Sequence, residues 1–381
     1  MESPELVKKV LILGVGNAQV DAIRHCRERG WEVHGVSYRH EGRGLPLVDR
    51  FALVNIVDKE AVLEYVVENE IDFIYSIGSD VAMPSVGYVS EKLGKPFFVD
   101  ETTTELMQNK GKFRAFLEDK NLSSIPFMTA EKIDELRDWD IYPAIIKPVD
   151  AQGQRGIFEL SSRADLETHF QGSRKQSRSG RVVVEQYIDG PEISINAFIH
   201  KGATVYGIIT DRFIVPGLPG GIIRGHRIPS RINPSIGAKA VDLASRVLEA
   251  LRIQSGPVYF QMKYTVDDAY VIEVAPRLDG CHLWRLIKLI YDVDLLQATF
   301  DLLAGDSHNI PGSWQTPKPQ LDRELFLEFS LQETSSPFRK PEVGNRELLY
   351  QEFYYHEGDM VREINGLMEK TGYMIFQAKD K

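Results

Sequence analysis

The chain has 381 residues, 43% of them hydrophobic and 26% charged, with a formal net charge of −10. That balance belongs to a folded globular protein, and at roughly 150 residues per domain it allows two or three domains with real cores. The acidic sign argues against a nucleic-acid partner. The two cysteines, Cys26 and Cys281, exclude a disulfide framework and have no CxxC neighbour, which points to a reducing compartment and no zinc site.

The opening MESPELVKKVLILG holds an apolar run too short for a signal segment or a membrane span. It reads as a first strand, and the expected address is the cytoplasm, with no membrane partner. From residue 8 to 105 apolar runs alternate with helical patterns: KVLILGVG, NAQVDAIRHCRERG, WEVHGVSY, KEAVLEYVVENE and IDFIYSIG. This is the rhythm of βαβ units, and it predicts a Rossmann-like parallel sheet in an N-terminal domain over 1–105. A helix KGKFRAFLEDKN follows, then a strand over 143–149 running into a Gly-containing loop, and a strand over 182–188. The polar, Ser-rich RKQSRSGR at 174–181 reads as a loop rather than an anion site. Strands are expected over 192–213, a Pro/Gly-rich loop over 216–221, a long helix around 235–251, a hairpin over 257–275 and a helix over 282–304. These make a second unit over 106–305 with a small lid at about 125–190, and the tail 306–381 reads as a C-terminal α+β module. The fold class is α/β and α+β multidomain.

Four stretches carry chemistry. GVGNAQ at 14–19 follows a strand and opens a helix, as a dinucleotide phosphate turn does. Gln19 replaces the third glycine, however, and the second strand ends in Ser37-Tyr38-Arg39 with no acid for a ribose hydroxyl. A scaffold turn is the favoured reading, and an NAD(P)-dependent oxidoreductase the alternative. In PVYFQMKY and YVIEVAPR, a hairpin centred near Asp267 sets Gln261 opposite Glu273 on one face, with Arg277 further along it. Two oxygen donors and a base suit a divalent cation bound with phosphate, and equally a plain polar cross-strand pair.

In YPAIIKPVDAQGQRGIFEL, Lys147 ends a strand before a turn holding Gly153, Arg155 and Gly156. A lysine and open backbone N–H groups there suit phosphate. In VVVEQYIDGPE, Glu185 ends a strand and Glu192 follows a Gly-Pro turn. Free backbone between them suits a purine edge, and the two acids suit an exocyclic amine and ribose hydroxyls. Taken singly, each of these residues also suits a solvated surface.

In order and spacing these segments resemble the ATP-grasp superfamily, in particular its carboxylate–amine ligase branch, from about residue 8 to 305 with a weaker echo in the tail. The resemblance implies an ATP-grasp domain whose two α+β subdomains clasp ATP. It gives Lys110 of NKGKFRAFL, Lys147 and the loop with Gly153, Arg155 and Gly156 to the phosphates. It gives Glu185, Ile188 (through its backbone) and Glu192 to adenine and ribose. Gln261 and Glu273, twelve residues apart, fall to the metal, and Arg277, the arginine of an E-x-N-P-R signature, falls with Lys147 to the transferring phosphoryl group.

The segment 220-GGIIRGHRIPSRI-232 is similar to the G-H-x-x-P-S stretch of amino-acid-type ligases and puts Asp211, Arg224 and His226 on the acceptor side. There are departures. Gln261 stands where many members have Glu, Ala275 replaces the signature Asn, and Asp279 stands where amino-acid ligases usually have Gly; Asp279 or water is expected to make up the lost coordination. The implied activity is an ATP-dependent ligase joining a carboxylate to an amine, or in second place a thiol, through an acylphosphate with release of ADP and phosphate. ATP and Mg²⁺ (with Mn²⁺ as a substitute ion) are the implied cofactors, small-molecule acids and amines the partners, and a homodimer the assembly. The departures also leave open a degenerate protein that binds ATP without turnover.

Overall fold

Lys9–Leu13, apolar on both faces, forms β1 inside a parallel sheet, where burial from two sides demands such a run. With β2 (Glu32–Ser37), β3 (Arg50–Leu53) and β4 (Phe73–Tyr75) the order is β3-β2-β1-β4. Helices α1 (Val20–Glu28), α2 (Lys59–Glu68) and α3 (Met83–Leu93) belong to this unit. Two short helices follow, α4 (Glu101–Gln108) and α5 (Lys110–Asp119), started by Asp100 and Asn109, whose side chains accept from Thr103 N at 2.7 Å and Lys112 N at 3.0 Å. The computed structural model describes residues 7–151, 155–217, 222–308, 310–312, 323–363 and 368–377. Among them, no helix is long and apolar enough to cross a membrane.

A second, antiparallel sheet has the order β5-β8-β6-β7, from Phe127–Ala130, Ala144–Pro148, Phe158–Leu160 and Val182–Gln186 as β5 to β8. With α6 (Arg163–Arg174) it closes a separate core around Ile146, Leu166, Phe170 and Val184. The third sheet has eight strands. Numbered along the chain they are β9 (Glu192–His200), β10 (Ala203–Ile214), β11 (Ile223–Ile228), β12 (Gly256–Tyr264), β13 (Ala269–Ala275), β14 (Leu325–Glu333), β15 (Glu347–Phe353) and β16 (Met368–Gln377). Their spatial order is β13-β12-β9-β10-β11-β14-β16-β15. Helix α7 (Pro234–Ala250) lays Ile236, Ala240 and Val247 on the core of this sheet.

Two stretches differ from their sequence pattern. The helix expected over 282–304 is two helices, α8 (Leu283–Tyr291) and α9 (Leu295–Ala304). Asp292 turns left-handed (φ 56°) to end the first, and Asp294 starts the second by accepting from Gln297 N at 2.9 Å. The tail, expected as an α+β module, gives three strands to the eight-stranded sheet, and no helix occurs among its described residues. Leu325 and Leu327 alternate with more exposed residues, so β14 needs a sheet edge, and β11 supplies it.

The segment after β13 crosses the carboxyl ends of β1 and β4. Leu278 N donates to Tyr75 Oη at 3.0 Å, and Gly78 N donates to Leu278 O at 3.2 Å. Gly78 is left-handed (φ 67°), and a Cβ there would sit 2.7 Å from Gly280 Cα, so this crossing demands glycine. Deeper in, the buried Asp21 carboxylate takes His282 Nδ1 at 2.7 Å, Trp284 Nε1 at 3.0 Å and Arg285 Nη2 at 3.2 Å. Burial works to raise its pKa, but these partners hold it at about 2.

Candidate active site

The β12–β13 hairpin closes with Thr265 N donating to Asp268 O at 2.8 Å. Near the turn the pairs are Tyr264↔Ala269, Lys263↔Tyr270 and Met262↔Val271; further out they are Gln261↔Glu273 and Phe260↔Val274. Ile272 is thus the extra residue of a β-bulge. The bulge moves the register by one residue, and an unbulged hairpin on the same turn would set Gln261 against Ile272. Glu273 Oε1 accepts from Lys110 Nζ at 3.1 Å, and the same ammonium reaches Ala151 O at 3.0 Å. This face therefore looks toward the loop that leaves β6. Burial pushes the Glu273 carboxyl up, but Lys110 beside it holds it below the usual carboxylate range.

Lys147 and Glu185 meet between β6 and β8. Lys147 Nζ donates to Glu185 Oε2 at 2.8 Å, while Arg114 Nε and Nη2 reach the two oxygens at 2.9 and 3.2 Å. All three side chains are buried. Burial would raise Glu185, yet the two cations hold it at about 2; burial and then Arg114 push Lys147 below its usual value. The Glu185 carboxylate, expected at a nucleotide amine or ribose, faces α5 here: Oε2 is shared by Lys147 and Arg114, and Oε1 accepts from Arg114. Arg114 escaped the sequence reading, although it lies one helical turn from Lys110, so the two share a face.

Glu192 sits at the start of β9, where Arg212 ion-pairs with it and Gln261 Nε2 donates to its Oε2 at 3.0 Å. The carbonyl of Ile188 accepts from Lys263 Nζ at 3.0 Å, which pins the segment between Glu185 and Glu192. Arg155 and Gly156 (φ 70°) lie in the turn before β7, whereas Gly153 falls outside the described residues, as does the 218–221 part of the Pro/Gly-rich loop. Arg277 is buried, ion-paired to Asp80 of the N-terminal unit, with Nη1 donating to Leu278 O at 3.0 Å. Glu273, Asp80, Gln108 and Pro276 line one small cleft.

The acceptor-side residues separate. Asp211 pairs across the strands with Arg227, and its carboxylate also holds Ser230 Oγ and Arg231 N. Its neighbour Arg212, which sequence reading passed over, points to the opposite face with Glu192 and Gln261. Arg224 is the extra residue where the β10–β11 register shifts; it lies exposed against Glu328. Neither Asp211 nor Arg224 lines the cleft of Glu273, Asp80, Gln108 and Pro276. His226 and Asp279 do come together, with Cys281 as a third member: one donor atom from each lies within 4.8 Å of the others. Asp279 is therefore grouped with His226 and Cys281, and Glu273 is not in that group.

The first glycine turn is filled by its own chain. Gln19 Oε1 accepts from Gly16 N at 3.0 Å, its Nε2 donates to Ile77 O, and its Cδ would lie 3.3 Å from a Cβ on Gly14. A side chain thus occupies the space that a dinucleotide phosphate needs, and nothing favours the oxidoreductase alternative.

Residues 141–283 match the ATP-grasp domain family. An uncharacterized protein of Sinorhizobium fredii is 31% identical over 176 residues, 44% of this chain, and the match spans only 35% of that protein's length. A formate-dependent phosphoribosylglycinamide formyltransferase of Aliivibrio fischeri is 25% identical over 292 residues, covering 74% of this chain and 72% of that one. Among solved structures, the L-amino acid ligase from Bacillus licheniformis superposes with a TM-score of 0.81 at 20% identity, over 97% of this chain and 93% of that one. The phosphoribosylglycinamide synthetase from Anaerococcus prevotii gives 0.74 at 16% identity, over 98% and 94%. Residues 141–283 thus carry an ATP-grasp domain, and the chain as a whole is similar in sequence to the formyltransferase and in fold to the amino-acid ligase.

Proposed function

We propose that the protein is an ATP-dependent ligase that joins a small-molecule carboxylate to an amine through an acylphosphate, releasing ADP and phosphate. The observation that carries this reading is the bulge-set pairing of Gln261 with Glu273, with Lys110 spanning from Glu273 to the loop after β6. The donors fit a hard cation. Gln261 spends its amide N–H on Glu192 and Glu273 its Oε1 on Lys110, which leaves Gln261 Oε1 and Glu273 Oε2 without a hydrogen bond among the described residues. Gln261 and Glu273 would hold Mg²⁺, or Mn²⁺ in its place, with phosphate and water oxygens completing the shell. When bound, the ion neutralises charge on the phosphates.

Lys110, and Lys147 once it shares its proton donors with a phosphate, would hold the triphosphate, with Arg155 and Gly156 in the turn beside them. Lys263 and the segment around Ile188 would shape the base pocket, and Glu192 would take the ribose. Arg277 steadies charge on the phosphoryl group in flight, since such transfers depend on positioning and electrostatics. Loop 150–156 would exclude water from the acylphosphate. A cytoplasmic address, where ATP and Mg²⁺ abound, goes with this reading.

The test is release of ADP and phosphate from ATP–Mg²⁺ across a panel of carboxylate and amine pairs. Turnover that needs both an acid and an amine is expected. Tight ATP binding with no ADP from any pair would reduce the protein to a nucleotide-binding one.

A further inference from the structure

Three side chains distant in sequence, His226 on β11 and Asp279 and Cys281 beyond β13, bring one donor atom each to a common point, all within 4.8 Å. His226 is fully buried and Asp279 is 3% exposed, yet His226 Nε2 and Asp279 Oδ2 have no hydrogen-bond partner. Two buried polar atoms left bare and aimed at one place carry a desolvation cost that a ligand there would remove.

The other atom of each group is held by the protein. Thr210 Oγ1 lies 3.2 Å from His226 Nδ1; as the acceptor of that N–H it leaves Nε2 as a bare lone pair. Leu283 N donates to Asp279 Oδ1 at 3.2 Å, which leaves Oδ2 free. Burial pushes the Cys281 thiol up, and Lys370 Nζ, 3.8 Å from its Sγ, works against that. Fixing the far side of each ligand is how proteins orient metal-binding groups.

We propose that His226 Nε2, Asp279 Oδ2 and Cys281 Sγ form a second cation site, distinct from the Gln261–Glu273 pair, that takes a borderline-soft divalent ion of the Zn²⁺ class. Nitrogen, oxygen and sulfur donors select such an ion over Mg²⁺, which wants oxygens alone. Three protein ligands leave at least one coordination position for a small molecule. On binding, the Cys281 thiol gives its proton to solvent and its sulfur forms the bond to the metal; the carboxylate and thiolate together balance the ion's two positive charges. Burial already holds His226 neutral, the form that ligates, with Arg212 and Lys370 adding to the effect. Sequence spacing could not reveal this site, because its one histidine and one cysteine lie far apart in the chain and form no zinc-type pair.

The test uses the full chain, stripped with chelator and titrated with Zn²⁺ and Co²⁺ in the absence of ATP. One equivalent of Zn²⁺ is expected, and the Co²⁺ form is expected to show a thiolate-to-cobalt charge-transfer band that excess Mg²⁺ does not displace. Cys281→Ser should lose the band while keeping its circular dichroism. Thr210→Val, which removes only the bond orienting the imidazole, should weaken Zn²⁺ binding by about tenfold. Glu273→Ala should retain the band, so loss of the ligase reading and loss of this site are separate results. Absence of stoichiometric Zn²⁺ in the unaltered protein, or a band that survives in Cys281→Ser, overturns the proposal.

Discussion

Gln261 stands directly across from Glu273 because Ile272, one residue before the glutamate, bulges out of the ladder. The turn alone would have paired Gln261 with an isoleucine. Gln261→Ala, which removes one of the two paired donors, should keep a folded hairpin but weaken Mg²⁺-dependent ATP binding, as read by calorimetry. Glu273→Ala should cut ATP turnover by at least about 100-fold with the fold intact. Full turnover in either variant would remove the metal assignment.

Glu185 is the shared partner of two buried cations, so Glu185→Gln should leave Arg114 and Lys147 poorly compensated. A loss of roughly 3–5 kcal/mol at neutral pH is expected from urea unfolding. The same pairing sets an acid limb. The folded pKa, about 2, lies below the ordinary 4.5, so between these values the unfolded chain binds more protons and stability rises with pH. The contribution, about 3 kcal/mol, is complete above pH 4.5 and fades as pH falls toward 2. The stability gap between the native chain and Glu185→Gln should narrow over that window; a constant gap would contradict the pairing.

Asp21 ties α1 to His282, Trp284 and Arg285, and so clamps the parallel-sheet unit onto the segment carrying Arg277. Asp21→Asn keeps the volume but removes the charge. A loss of roughly 3–5 kcal/mol is expected, with faster hydrogen exchange around Gly78 and Gly280. Unchanged exchange there would show that the clamp is redundant.

Asp211 and Arg212 are neighbours on opposite faces of β10. Arg212→Ala should lower kcat/KM by roughly 100-fold through loss of its contact with Glu192. Asp211→Asn should instead lower stability by roughly 1–3 kcal/mol and leave kcat in place, because its partners are Arg227, Ser230 and Arg231. Steady-state kinetics and urea midpoints on the two variants separate these roles, and matching effects would refute the division by face.

Local pattern was enough for much of this protein. The βαβ rhythm, the lysine ending β6 and the Glu185–Glu192 spacing follow from periods of two and 3.6 residues and from turn chemistry, which act over a few positions. Other features lie beyond such rules. The bulge at Ile272, the burial of Glu185 between Arg114 and Lys147, the opposite facing of Asp211 and Arg212, and the meeting of His226 with Asp279 and Cys281 join residues tens of positions apart. Sequence sets which side chains can donate, accept or carry charge; only the packing of strands and helices against one another decides which face each presents and whether its partner is water, a ligand or another buried group.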